Sequence, residues 1–159
     1  MKLLSYRAHS MHELTFKLRK GGFSTAVIEE AVAELEDRGL LDDTRLARDA
    51  VTGGQRAGRS RARIYADLRR RGIAREDAEV ALQDCFDPEE ELKTVAGFMR
   101  KSLSGSPATV GSEEIDKTAR RLFKRGFSAS AIAGALEGLH PGEGGCHVPH
   151  FLDSDNQLS

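Results

Sequence analysis

The residues best equipped for chemistry in this chain are arginines, and they are concentrated. Between Arg56 and Arg75 there are eight Arg and a single acid, Asp67. A guanidinium is permanently charged and presents a planar fork of donors that pairs two at a time with phosphate or carboxylate. The expected chemistry is recognition of a polyanion rather than bond making. Arg56, Arg59, Arg61, Arg63, Arg69, Arg70 and Arg71 form the candidate set, and Lys117, Arg121 and Lys124 repeat it more sparsely further along. The plain alternative is a solvated helix face with an Arg63–Asp67 pair at i, i+4. Basic residues in a last helical turn also answer the helix dipole, which accounts for Lys20, Arg71 and Arg125. It accounts poorly for Arg56, Arg59 and Arg63, which are expected near a helix start.

Other reactive residues lead elsewhere. Asp42 and Asp43 invite a catalytic or metal reading, but adjacent side chains diverge on a helix and no partner cluster follows. Helix capping explains them better, with Arg38 and Arg45 as local partners. Cys146, His147 and His150 offer three of the four ligands that a structural zinc site wants, in a segment without helical period. No metal or other cofactor is expected. The stretch TGGQRAG at 52–58 lacks the Lys-Ser/Thr of a phosphate-binding loop, and no nucleophile elbow or His–carboxylate set occurs. An enzyme is not expected.

Bulk composition narrows the class. The chain has 159 residues, 31% charged, 6% aromatic and without Trp, which favours a helical, surface-rich protein over one with a thick core. Lys plus Arg is 24 and Asp plus Glu is 25, so only the distribution of charge is informative. Cys85 and Cys146 make no disulfide framework, which fits a reducing compartment. MKLLSYRAHS is too short and polar for a signal peptide, and no apolar run approaches the roughly 20 residues of a membrane helix. A cytoplasmic protein without membrane contact, working as a monomer, is the expectation.

The arginines sit within a repeat. KLRKGGFS at 17–24, DLRRRGIA at 67–74 and RLFKRGFS at 121–128 align on Gly22, Gly72 and Gly126. Leu18, Leu68 and Leu122 fall four before the glycine; Phe23, Ile73 and Phe127 follow it. Ile28, Ala78 and Ile132 lie six after, and Val32, Leu82 and Leu136 ten after. Spacings of three and four on both sides give helix, glycine turn, helix. The glycine stops the first helix by taking positive φ, and the next apolar residue packs back on it. Ser24 and Ser128 are expected to cap the second helix; Ala74 caps poorly, and Glu76 and Asp77 compensate through the dipole. Ser10, Ser60 and Ser112 mark the starts of the middle helices. A further helix precedes each pair: a short one over 2–9, one from Asp42 or Asp43 through Leu46, Ala47, Ala50 and Val51, and one opened by Asp87 and Pro88 with Leu92, Val95, Ala96 and Met99 on one face. Glycine-rich residues 53–58 and a Ser/Gly/Pro stretch at 102–111 are expected joints.

The run RGLLDDTRLARDAV at 38–51, followed by QRAGRSRARIYADLRRRGI at 55–73, resembles the RecX family of RecA regulators. The matching residues are Gly39, Leu40, Leu41, Asp42 and Asp43, then Arg56, Gly58, Arg63 and Ile64. SMHELTFKLRKGGF in the first repeat is similar to the family's pattern as well. The resemblance covers about residues 3–139. It implies an all-α fold: a tandem array of three three-helix repeats, elongated and curved, at 2–39, 40–85 and 86–140. Outside the resemblance, 141–159 has no helical period, and its Pro, Gly and scattered polar residues lead to the expectation of a disordered tail. The resemblance implies a regulator, mostly an inhibitor, that binds the RecA filament on single-stranded DNA and reduces ATP hydrolysis, strand exchange and repressor cleavage. Contact with DNA phosphate is a further expectation. The competing reading is a helix-turn-helix-like DNA-binding protein acting without RecA.

Overall fold

The computed structural model describes residues 9–103, 111–139 and Pro149. The described residues form eight helices and no strand: α1 Met11–Lys20, α2 Thr25–Asp37, α3 Asp43–Arg56, α4 Arg61–Arg70, α5 Arg75–Cys85, α6 Pro88–Ser102, α7 Ser112–Lys124 and α8 Ala129–Leu139. The expected helix over 2–9, apart from His9, and the expected tail, apart from Pro149, lie outside the described residues, as do 104–110. No described helix is long and apolar enough to cross a membrane. The chain divides into two compact units: residues 1–54 with 64–86, and residues 55–63 with 87–159.

The first unit holds two apolar clusters. Leu14, Ile28, Val32 and Leu41 make one. Leu46, Ala47, Val51, Ile64, Leu68, Ile73, Ala78, Ala81 and Leu82 make the other. The second unit is built on Val95, Met99, Ala119, Leu122, Phe127, Ile132 and Leu136 with their neighbours. The apolar positions aligned on the three glycines are the ones buried in these clusters, apart from Leu18, which is half-buried, and Phe23, which is exposed. Burial of a Leu or Ile side chain contributes about 1.5–3 kcal/mol, so these positions dominate the fold.

The three glycine turns share one geometry. Gly22, Gly72 and Gly126 have φ of 86°, 81° and 83°. The amides of Phe23, Ile73 and Phe127 reach back to the carbonyls of Leu18, Leu68 and Leu122 at 3.3, 3.2 and 3.3 Å. This is the six-to-one bond of a Schellman ending.

Two of these turns carry a further joint. In the first unit, the hydroxyl of buried Ser10 accepts the Glu13 amide at 3.0 Å, and the Glu13 carboxylate accepts the Ser10 amide at 3.2 Å. The same hydroxyl donates to the carbonyl of Arg71, and Glu13 pairs with the Arg71 guanidinium at 3.4 Å. A β-carbon on Gly72 would stand 2.4 Å from Cβ of His12. In the second unit, Ser60 accepts the Arg63 amide at 3.3 Å and donates to the carbonyl of Arg125 at 2.6 Å. A β-carbon on Gly126 would stand 2.6 Å from Cβ of Ala62. Glycine is thus needed twice over at 72 and 126, for φ and for space. At Gly22 nothing lies within 4 Å of such a carbon.

Other caps follow the sequence, with exceptions. Asp42 accepts the Arg45 amide at 2.8 Å and Asp87 accepts the Glu89 amide at 2.8 Å, with Pro88 at the first helical position. Ser128 accepts the Ala131 amide at 3.2 Å. Ser24 occupies the capping position of α2 without a side-chain bond, whereas α7 begins at Ser112 as expected, with Gly111 in its capping position.

The glycine-rich joint is also shorter than expected. Gly53 and Gly54 are helical, and α3 runs on to Arg56. Packing overrides local propensity here: a β-carbon on Gly54 would meet Ile64 Cγ1 at 2.7 Å, so its absence admits the Ile64 side chain. In the last turn of α3, the Gln55 side-chain amide clamps the Asp87 backbone, donating to its carbonyl at 2.8 Å and accepting from its amide at 2.9 Å.

Adjacent glycines should therefore respond oppositely to alanine. Gly53→Ala, with nothing within 4 Å, should stabilise by up to about 1 kcal/mol, the propensity difference. Gly54→Ala should destabilise by about 1–3 kcal/mol through overpacking against Ile64. Urea unfolding followed by circular dichroism checks both signs. Ser60→Ala leaves a part-buried carbonyl and a helix amide without the Ser60 hydroxyl and should cost about 1–3 kcal/mol. Ser24→Ala should cost a few tenths, as expected of a surface change that removes no cap bond.

Candidate functional site

The Arg-rich segment is divided between the two units. Arg56, Arg59, Arg61 and Arg63 belong to the second, and Arg69, Arg70 and Arg71 to the first. Along α4 the core takes Ile64 and Leu68, at 2% and 1% exposure. Arg61, Arg63, Arg69 and Arg70 fall on exposed positions of the same helix. That is the expected division between a core face and a basic face.

In the first unit the arginines are engaged by the fold. Arg69 donates to the carbonyl of Ile73 at 2.5 Å, beyond the glycine turn. Arg70 pairs with Asp67 at 2.9 Å. Arg71 is 22% exposed at its side chain and pairs with Glu13, itself 16% exposed. Screening is weaker at such a half-buried pair than on an open surface, so Arg71 is bound into the joint with Ser10. Its structural role exceeds the dipole effect expected of a residue at a helix end.

In the second unit the joint between Ser60 and Arg125 sets the start of α4 beside the end of α7. Arg59, Arg61 and Arg63 flank Ser60 and Ala62, while Arg121 and Lys124 stand in the last turn of α7. Exposed Lys117 lies one turn earlier on α7. Arg121 donates to the Ser102 hydroxyl at 2.9 Å, and Arg125 lies 5.8 Å from the Phe98 ring centroid, within range of a cation–π contact. Arg56 is the last residue of α3, not the entrance of α4. The helix dipole therefore explains it after all.

The acidic candidates are structural. Asp42 caps α3, and Asp43 accepts the Met11 amide at 3.0 Å. Partial burial raises the Asp43 carboxyl above its ordinary range, opposed by that amide bond and by Arg71. Arg38 pairs with Glu34 rather than with Asp42 or Asp43, and Arg45 lies 4.0 Å from Asp49. Among the described residues no group of three or more His, Cys, Asp or Glu is placed to hold a metal ion. Cys146, His147 and His150 lie outside the described residues.

Two aromatics outside the sequence-derived set are prominent. Phe16 and Phe23 are 63% and 54% exposed. The signal for Phe16 lies in the repeat: the position six before the turn glycine is Ala66 and Arg120 in the other copies, both exposed. Phe23 matches Ile73 and Phe127, which are buried.

Profiles of the RecX first and second three-helix domains match residues 1–35 and 42–82. The Regulatory protein RecX of Pseudomonas fluorescens is 37% identical over 139 residues, spanning 87% of each chain. That of Pseudomonas tolaasii is 35% identical over the same span. The crystal structure of RecX from Lactobacillus salivarius has a TM-score of 0.79 at 22% identity, covering 87% of this chain and 90% of that one. With the helical repeats, the glycine turns and the sequence matches in agreement, this chain belongs to the RecX family of regulatory proteins.

Proposed function

We propose that the protein binds the RecA nucleoprotein filament on single-stranded DNA and restrains RecA's ATP hydrolysis, strand exchange and co-protease activity. Membership of a family that modulates RecA supports the general role. The observation that carries the finer reading is the basic grouping of the second unit. The Ser60–Arg125 bond brings Arg59, Arg61 and Arg63 to the same joint as Arg121 and Lys124. Arg56 and Lys117 are further exposed cations of the same unit, and the set is suited to DNA phosphate or to acidic residues of the filament.

Arg69, Arg70 and Arg71 belong to the first unit, where they serve Ile73, Asp67 and Glu13. Binding works by obstruction: a protein held across neighbouring RecA subunits opposes the movements that accompany ATP hydrolysis and strand exchange. The protein acts as a monomer in the cytoplasm, without a cofactor or a reaction of its own.

Reversing charge at Arg61→Glu with Arg63→Glu should weaken inhibition of RecA ATPase on single-stranded DNA, raising the half-inhibitory concentration roughly tenfold. Both positions are exposed, so the melting temperature should stay within a few degrees of wild type. Unchanged inhibition by this folded variant would exclude the surface. Retention of the wild-type protein on bare DNA equal to that on filaments, in co-sedimentation, would favour a DNA-binding protein that acts without RecA.

A further inference from the structure

The outer face of α1 combines features that the inhibitory surface of the second unit does not use. His12, Phe16, Arg19 and Lys20 recur at helical spacings of three and four, so they share one face of α1. All four are exposed. This face lies away from the core, because Leu14 is buried and Leu18 is packed against the apolar cluster. One end of the face is anchored: His12 abuts Gly72, next to Arg71 and Arg70 at the end of α4. The face therefore runs from His12, beside Gly72, past Phe16 to Arg19 and Lys20, all within the first unit. It carries two permanent cations, Arg19 and Lys20, one turn from an exposed ring.

Phe16 is not waiting for a core. The matching positions in the other repeats are Ala66 and Arg120, which face solvent in repeats whose helices are described in full. An apolar ring at a position that is otherwise solvent-facing, flanked by cations, fits a ligand with flat apolar faces on an anionic backbone. Unpaired bases on a phosphodiester strand have that chemistry: the ring stacks a base and the cations follow the phosphates. A duplex keeps its base faces stacked and offers the ring nothing.

We propose that this face of α1 is a binding track for single-stranded DNA, with Phe16 as its stacking platform and Arg19 and Lys20 as phosphate contacts. The choice of DNA rests on the proposed role at RecA filaments. The stacking itself needs no RecA, so the two readings can fail separately.

The full chain has no Trp, so Phe16→Trp supplies a single fluorophore at the platform. Titration of this variant with a dT 20-mer, without RecA, should quench its emission, while the matching duplex should leave it nearly unchanged. By anisotropy with labelled dT 20-mer, Phe16→Ala should weaken binding roughly tenfold, in the range set by loss of one base stack. Phe16→Trp should bind at least as well as wild type, and Arg19→Glu with Lys20→Glu should flatten the salt dependence. Circular dichroism confirms that these exposed substitutions leave the helices intact. Absence of wild-type binding, equal affinity for wild type and Phe16→Ala, or unmoved emission at saturation would each overturn the proposal. Tighter binding of a U 20-mer would assign the track to RNA. A concentration-dependent dimer lost in Phe16→Ala, without strand binding, would assign it to a second copy. Either result rejects the DNA assignment, and neither bears on inhibition by the second unit.

Discussion

A serine hydroxyl does two jobs at once in this protein, and the remaining packing depends on both. Ser10 and Ser60 each stand at a helix start, almost fully buried. Each accepts a helix amide and donates to the carbonyl of an arginine that is 61 or 65 residues away in sequence. A hydroxyl suits this because it carries one donor and two acceptor sites. Asp or Asn would cap as well, but ionised Asp has no proton to give the distant carbonyl. The bond also satisfies carbonyls at the end of a helix, which otherwise lack intrahelical partners. Capping one helix start and closing another helix end with one atom fixes their separation tightly. Only glycine then fits at 72 and 126, where any β-carbon would overlap His12 or Ala62.

That joint decides what the arginines can do. At the end of α4 it draws Arg71 into a half-buried pair with Glu13. Arg69 is spent on the carbonyl of Ile73, bracing the chain after the turn. At the start of α4 the joint lies within the second unit, and the flanking side chains of Arg61 and Arg63 are exposed. A run of similar residues thus divides between two joints: Arg71 is half-buried at the end of the helix, and Arg61 and Arg63 are exposed at its start.

Much of the fold was legible because it depends on local rules. The apolar positions around each glycine specify a helix period, and positive φ at the turn follows from the residue type. Asp87 with Pro88 announces a helix start without tertiary information. The errors arise where a distant residue changes the local preference. Gly53 and Gly54 suggest a break, yet Ile64 packs where the second would carry a β-carbon and the helix continues. That extension moves Arg56 from a supposed helix start to a helix end. Ser24 has the right residue type for a cap and no side-chain bond, whereas Ser10 and Ser60 gain importance from carbonyls far along the chain. Position in the repeat could have singled out Phe16, but only the outward direction of that position in every copy gives its exposure a meaning.

The two basic regions differ in the kind of selectivity they can have. On the second unit, guanidinium and ammonium groups dominate, and such groups contact phosphate or carboxylate without regard to what the anion is attached to. Charge of that sort favours fast association and is screened by salt. An exposed ring among cations, as on α1, adds a contact that salt does not screen and that requires an unpaired base or another flat apolar group. On the proposed reading the protein distinguishes DNA coated by a recombinase from bulk duplex DNA, and charge alone would contribute little to that, since the duplex is the more abundant polyanion. Discrimination must then come from the geometry of the bound protein filament, from the unpaired state of the strand, or from both. The proposed cationic surface of the second unit and the proposed aromatic track on α1 would supply those two sources.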